Sequence, residues 1–189
     1  DAPEGGIDLK YVRSASEGIG KALAKKGGYH VVVDNGTVVP GTTDSVILHI
    51  IERASGKKAG EGFGVAMNPE FLREGLAIED FMRPDRVVIG VLDEKSGLAI
   101  KGLYKSFDCP VLMTDLRTAE MIKYAANAFL ATKISFINEI ANICEKTGTD
   151  VTDVAKGIGL DHRISSKFLS AGVGYGGSCF PKDVKAIAK

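Results

Sequence analysis

Apolar residues change period along this chain of 189 residues. Leu9, Val12, Ala15, Ile19 and Leu23 recur at helical spacing, with Asp8 placed to cap that helix and Gly27-Gly28 placed to end it. His30-Val31-Val32-Val33 then reads as a short buried strand, bounded by Asp34-Asn35-Gly36. The alternation continues with a helix over about 43–54, strands over 63–67 and 86–89, a helix over about 94–106 and a strand over 111–113. Strands of unbroken Val and Ile between amphipathic helices predict an α/β fold, with a parallel sheet covered on both faces.

After residue 114 the pattern is helical. No Pro or Gly interrupts Leu116 to Lys146; Asp115 suits the N-cap and Thr147-Gly148 the stop. A helix over 116–146 would span about 46 Å. Ala119, Ile122, Ala126, Phe129, Ile137 and Ile140 leave little of it polar, which predicts burial at a domain centre or against a second subunit. A shorter helix over about 151–156 and a loop lead to a last helix at Pro181. The chain therefore divides into a sheet part, 1–114, and a helical part, 115–189. It opens in loop-like residues 1–6, and about four short strands are few for a parallel sheet. A piece of a larger protein is expected.

Composition narrows the classes. Apolar residues make up 44% of the chain, enough for a sizeable core. The 24 basic residues balance 24 acidic ones, giving no support for nucleic acid or an anionic membrane as partner. No apolar run reaches the roughly 18 residues of a membrane helix, and no signal peptide opens the chain. Three cysteines, Cys109, Cys144 and Cys179, fit reduced thiols in a cytoplasm. With no Cys-x-x-Cys and with His30, His49 and His162 isolated, no metal site is expected.

The richest chemistry lies in Gly176-Gly177-Ser178-Cys179-Phe180-Pro181-Lys182-Asp183. Pro181 suits the first turn of a helix, so Cys179 stands where a helix begins. Free N–H groups there, with Lys182, would favour a thiolate, and Asp183 returns one turn later. That set suits covalent chemistry on a carbonyl; a buried, inert thiol is the plain alternative. Gly172-x-Gly174-x-x-Gly177 has dinucleotide-loop spacing but no strand before it and no helix opening inside it, so it is not read as one.

Two more pairs are four residues apart. Glu70 and Glu74, in Asn68-Pro69-Glu70-Phe71-Leu72-Arg73-Glu74-Gly75, follow a strand, where open α/β sheets bind ligands. One helical turn would align them as base and ligand contact; a solvated helix start is the alternative. Lys123 and Asn127 share one stripe of the long helix and could stabilise an oxyanion, or form a water-facing edge. Thr37 follows another strand and could orient water or cofactor, or merely cap a turn.

Five motifs in this order resemble the UDP-glucose/GDP-mannose dehydrogenase family of nucleotide-sugar 6-dehydrogenases. They are Gly36-Thr37-Val38-Val39-Pro40-Gly41-Thr42, residues 68–75, Pro84-Asp85-Arg86, Lys123-x-x-Ala126-Asn127-Ala128-Phe129, and residues 176–183. The resemblance covers nearly the whole chain. It implies the second part of a Rossmann-like parallel sheet, followed by a central helical domain whose long helix forms a homodimer. It implies NAD as cofactor and a four-electron oxidation of UDP-glucose to UDP-glucuronate, as in polysaccharide precursor biosynthesis.

The resemblance also implies roles. Cys179 would be the nucleophile, Lys123 and Asn127 the oxyanion partners, and Glu70 the base for thioester hydrolysis. Asp183 and Thr37 would position water and tune the site. Glu74 and Lys182, with Thr37, would approach the cofactor. Phe71, Leu72, Phe168 and Gly176 would line the sugar nucleotide, and Arg163 would reach a neighbouring subunit's substrate. The family's strand with Gly-x-Gly-x-x-Gly loop and its third domain are not in this sequence, and Asn35-Gly36 stands where Lys-Ser is usual. The chain alone is therefore expected to be inactive. The same chemistry on GDP-mannose and a non-catalytic dimerising module are the alternatives, with Phe180 and Tyr175 favouring UDP-glucose.

Overall fold

The computed structural model describes residues 7–188. The chain forms two compact units, Ile7–Lys123 and Tyr124 onward. The first contains helix α1 (Lys10–Ala24), strand β1 (Val31–Asp34), a π-helical turn (Thr43–Ile47) running into α2 (Leu48–Ser55), and β2 (Gly64–Met67). It continues with α3 (Ala77–Met82), β3 (Val87–Val91), α4 (Glu94–Leu103), β4 (Val111–Thr114) and the start of α5 (Leu116–Thr147).

The four strands lie in sequence order, β1-β2-β3-β4. β1 is parallel to β2 and β3 to β4, but β2 and β3 run antiparallel, with Ala66 opposite Val91 and Met67 opposite Gly90. The sheet is thus mostly parallel, as expected, with one antiparallel pair, β2–β3. Hydrophobic runs mark strands buried on both faces, and burial says nothing of direction. β1 is an edge strand only partly covered, not the buried strand expected.

Alternate residues divide the sheet's two faces. On one face Val65 packs with Leu23 of α1, Ile51 of α2 and Phe63, while Met67 and Val88 pack with Val38 and with Leu116 and Ala119 of α5. On the other, Ala66, Val87 and Ile89 pack against Ile100 of α4. Ile51 and Phe63 are wholly buried, each contributing about 1.5–3 kcal/mol. The buried line of α1 is Ser16, Gly20 and Leu23, whereas Ala15 and Ile19 of the expected face are exposed. Gly90 of β3 meets α5 so closely that an added Cβ would stand 2.5 Å from the Ala119 methyl and 2.8 Å from the Asp115 carbonyl.

The second unit contains the rest of α5, α6 (Val151–Gly159) and α7 (Phe180–Ile187). Asp115 caps α5 as expected, accepting from the Thr118 N–H at 2.9 Å, and Gly148 leaves the helix with φ 69°. α7 has Cys179 at its N-cap and Pro181 in its first turn. Residues 160–179 before it hold no regular strand or helix, so the Gly172–Gly177 spacing opens no phosphate-binding helix. Among the described residues no helix is long and apolar enough to cross a membrane.

Candidate active site

In the first unit, β1 and β2 end on the same edge of the sheet because they are parallel. Thr37 follows one and Glu70 the other. Asn68 ties that edge together. Its N–H donates to the Asp34 carbonyl at 2.8 Å, and its carbonyl accepts from Asn35 Nδ2 at 2.5 Å. Its side chain donates to the Val88 carbonyl at 2.7 Å and accepts from the Tyr104 hydroxyl at 2.6 Å. A buried amide with each of these groups paired fixes the turn that follows it.

That turn presents Glu70 and Phe71. Lys123 Nζ lies 3.2 Å from Glu70 Oε1, while Glu70 Oε2 accepts from the Leu72 N–H at 2.7 Å. Lys123 is only 4% exposed, so it is not on the water-facing edge that the spacing allowed. Its ammonium also lies 5.4 Å from the centre of the Phe71 ring, and the Arg86 guanidinium covers that ring at 3.9 Å. Arg86 reaches the ring from the residue just before β3. Two cations at one ring hold Phe71 in place, each such contact contributing roughly 0.5–2 kcal/mol.

Asp34, at the end of β1, accepts from the Gly36 N–H at 2.9 Å through Oδ1. Its Oδ2 is buried with no hydrogen-bond partner among the described residues. Burial pushes this carboxyl above its ordinary pKa, against the opposing effect of the Gly36 N–H.

In the second unit, the Asp183 N–H donates to the Cys179 carbonyl at 2.9 Å, closing the first turn of α7. Asp183 is 1% exposed and accepts from Asn127 Nδ2 at 2.7 Å and from Lys182 Nζ. Asn127 is buried too. Cys179 itself is exposed, with the Ser178 hydroxyl 3.7 Å from its sulfur. The Phe180 ring meets Phe168 and Tyr175 edge-on, at 6.3 and 6.4 Å. Phe168 and Ser165 both have left-handed backbone, φ 65° and 64°, a conformation costing roughly 1–2 kcal/mol in a non-glycine residue. Lys133 Nζ braces the loop by donating to the carbonyls of Ile164 and Ser165, at 2.9 and 3.3 Å. Strain held in this way is characteristic of binding sites.

The expected residues thus gather as Glu70, Phe71 and Lys123 in the first unit, and as Cys179, Asp183, Asn127 and Lys182 in the second. Glu70 and Glu74 do not share a helical turn: residues 68–73 are irregular, Pro69 follows the strand, and Glu74 is exposed in a turn. Leu72 and Gly176 are also exposed. Arg163 is exposed and paired with Asp161, its Nη2 2.6 Å from Oδ2, and the guanidinium holds that carboxyl below its usual range. Sequence reasoning missed the roles of Asn68, Arg86, Asp34 and Glu120. Glu120, wholly buried on α5, did carry a signal, as an acid three residues before Lys123 on the same helix.

Models of the UDP-glucose/GDP-mannose dehydrogenase family match the chain twice: the NAD binding domain over residues 2–108 and the central domain over 117–189. The chain belongs to this family. Its cofactor is NAD. UDP-glucose 6-dehydrogenase TuaD of Bacillus subtilis is 54% identical over 97% of the chain, which covers 38% of that relative. UDP-glucose 6-dehydrogenase AglM of Haloferax volcanii is 49% identical over 97% of the chain and 44% of its own length. Among solved structures, a UDP-glucose dehydrogenase from Pyrobaculum islandicum superposes with TM-score 0.93 at 47% identity, covering 98% of this chain and 42% of that one. A GDP-mannose dehydrogenase from Pseudomonas aeruginosa gives TM-score 0.85 at 42% identity, covering 100% and 44%. The chain thus spans about two fifths of the length of these relatives.

Proposed function

We propose that this chain carries the catalytic centre of an NAD-dependent UDP-glucose 6-dehydrogenase, which oxidises the C6 alcohol of the sugar to a carboxylate in two two-electron steps. The supporting observation is the buried Asp183 carboxylate, which joins Asn127 and Lys182 one turn after an exposed cysteine at a helix N-cap.

NAD fits the sheet edge of the first unit. That edge lies beyond the carboxyl ends of two parallel strands, and Asp34 Oδ2 is a buried acceptor with no internal partner to satisfy it. Thr37, with Glu74 and Lys182, would hold the cofactor. Bound NAD supplies the hydride acceptor for both oxidations.

Cys179 adds through sulfur to the C6 aldehyde, forming a C–S bond as the carbonyl electron pair moves to oxygen. Lys123 and Asn127 hold that oxyanion as ammonium and amide donors. After the second oxidation the carbon is a thioester on Cys179. Glu70 takes a proton from water, which adds to the thioester carbon; the C–S bond breaks, and the electron pair leaves on sulfur. Asp183 fixes Asn127 and Lys182 and, with Thr37, positions water. Phe71, Leu72, Phe168 and Gly176 line the sugar nucleotide.

A second copy of the chain completes the assembly. Phe129, Phe136 and Ile143 are 65%, 51% and 54% exposed and stand seven residues apart on α5, the repeat of a helix seam. Across such a dimer Arg163 turns from Asp161 towards the neighbouring subunit's substrate.

The decisive variant is Cys179→Ser in the full-length protein, with NADH and uronate measured from UDP-glucose and, separately, from GDP-mannose. Acid formation from UDP-glucose is expected to fall about a hundredfold or more. Unchanged oxidation to the acid would remove the covalent mechanism, and preference for GDP-mannose would replace the substrate.

A further inference from the structure

Glu120 is a wholly buried carboxylate with no part in the steps above. It lies on the second turn of α5, one turn before Lys123. Its two oxygens accept backbone N–H groups from the segment after Thr37: Gly41 to Oε2 at 2.5 Å and Thr43 to Oε1 at 2.8 Å. Of the two cations three residues away, Arg117 is turned to Asp44 at 2.7 Å and to Ser45 at 3.3 Å, and Lys123 to Glu70 at 3.2 Å.

The segment that Glu120 grips is specific. Val39-Pro40-Gly41-Thr42 is a turn closed by the Thr42 N–H on the Val39 carbonyl at 2.9 Å, with Gly41 at φ 94°. Proline then glycine in its two central positions is the sequence of a type II turn. The turn aims the Gly41 N–H at α5, and the Thr43 N–H beside it opens the π-helical turn. Val38, two residues before Pro40, is buried against Leu116 and Ala119 of the same helix. The Thr37 segment is therefore attached to α5 by an apolar contact and by one carboxylate that accepts from both ends of the three-residue span Gly41–Thr43.

We propose that Glu120 is a positioning residue for the oxidation site. It locks the segment bearing Thr37 onto the turn of α5 that presents Lys123, and through Lys123 it sets the ion pair with Glu70. The proposal rests on the reading of Lys123 and Glu70 as working groups, but its test needs no substrate. A glutamine keeps the shape of Glu120 and one acceptor oxygen. Its amide N–H₂ then faces a backbone N–H, donor against donor, so one of the two bonds must be lost. Burial pushes the Glu120 carboxyl above its ordinary pKa, partly offset by the hydrogen bonds from Thr43 and Gly41 and reinforced by Asp44.

The experiment compares Glu120→Gln with the unaltered chain by NMR, following exchange with water at the Gly41 and Thr43 amides and at the Lys123 ammonium. In the folded variant, exchange at one or both amides is expected to rise about tenfold. Exchange of the Lys123 ammonium protons with water should quicken as its pairing with Glu70 loosens. A residue that only supports the core would lower Tm and leave the Lys123 ammonium exchange unmoved; that outcome overturns the proposal. If the glutamine variant does not fold, Glu120→Asp carries the same measurements, since it keeps the charge and withdraws it by one methylene; an unmoved Lys123 ammonium exchange there overturns the proposal equally. Failure leaves the dehydrogenase reading intact, because that reading stands or falls on Cys179.

Discussion

Asp34 ends β1 with one carboxylate oxygen on the Gly36 N–H and the other buried without a partner. Burial raises its pKa, so the folded chain holds this proton to higher pH than the unfolded chain does. Its contribution to stability is therefore complete below the ordinary carboxylate range and is lost as pH rises through the raised value. Asp34→Asn removes the titration while keeping an acceptor for Gly36. The ligand-free variant should gain about 1 kcal/mol near neutral pH, the scale of an unpaired buried polar group, and the gain should vanish in acid. Thermal unfolding against pH checks this; a gain independent of pH contradicts it. Arg86 and Glu120 were not legible as site residues, for a common reason. Each matters through a group distant in sequence, whereas Cys179, Lys182 and Asp183 announce themselves within five residues.

At the scale of elements, the close approach of α5 to β3 depends on Gly90. Gly90→Ala would force a methyl against the Ala119 side chain and the Asp115 carbonyl and should cost about 1–3 kcal/mol of stability. Urea unfolding reads it directly, and an unchanged midpoint would show that the helix moves aside freely. Most elements were legible, because strand-like Val and Ile runs and a capped apolar helix each bury a patterned face. α3 was not, since Ala77–Met82 has no buried residue and hence no stripe to read. The reversal of β3 was not legible either. Its residues fill both faces of the sheet in either direction.

At the scale of the whole molecule, the exposed line Phe129, Phe136 and Ile143 predicts a dimer. Phe129→Glu with Phe136→Glu should shift sedimentation from dimer to monomer with helix content unchanged, since these side chains are exposed within the chain. A wild-type chain that sediments as a clean monomer at high concentration would contradict it. The sequence by itself determined the kind of elements, the family and the chemical groups at hand, because periodicity, caps and motifs are local properties. Only the tertiary structure decided that Lys123 and Asn127 are buried rather than solvated, that Glu70 pairs with Lys123 while Glu74 stands apart, and that Glu120 grips the turn after Thr37. Those outcomes depend on which backbone N–H, ring or charge arrives from a distant segment, and burial then makes each such partner obligatory.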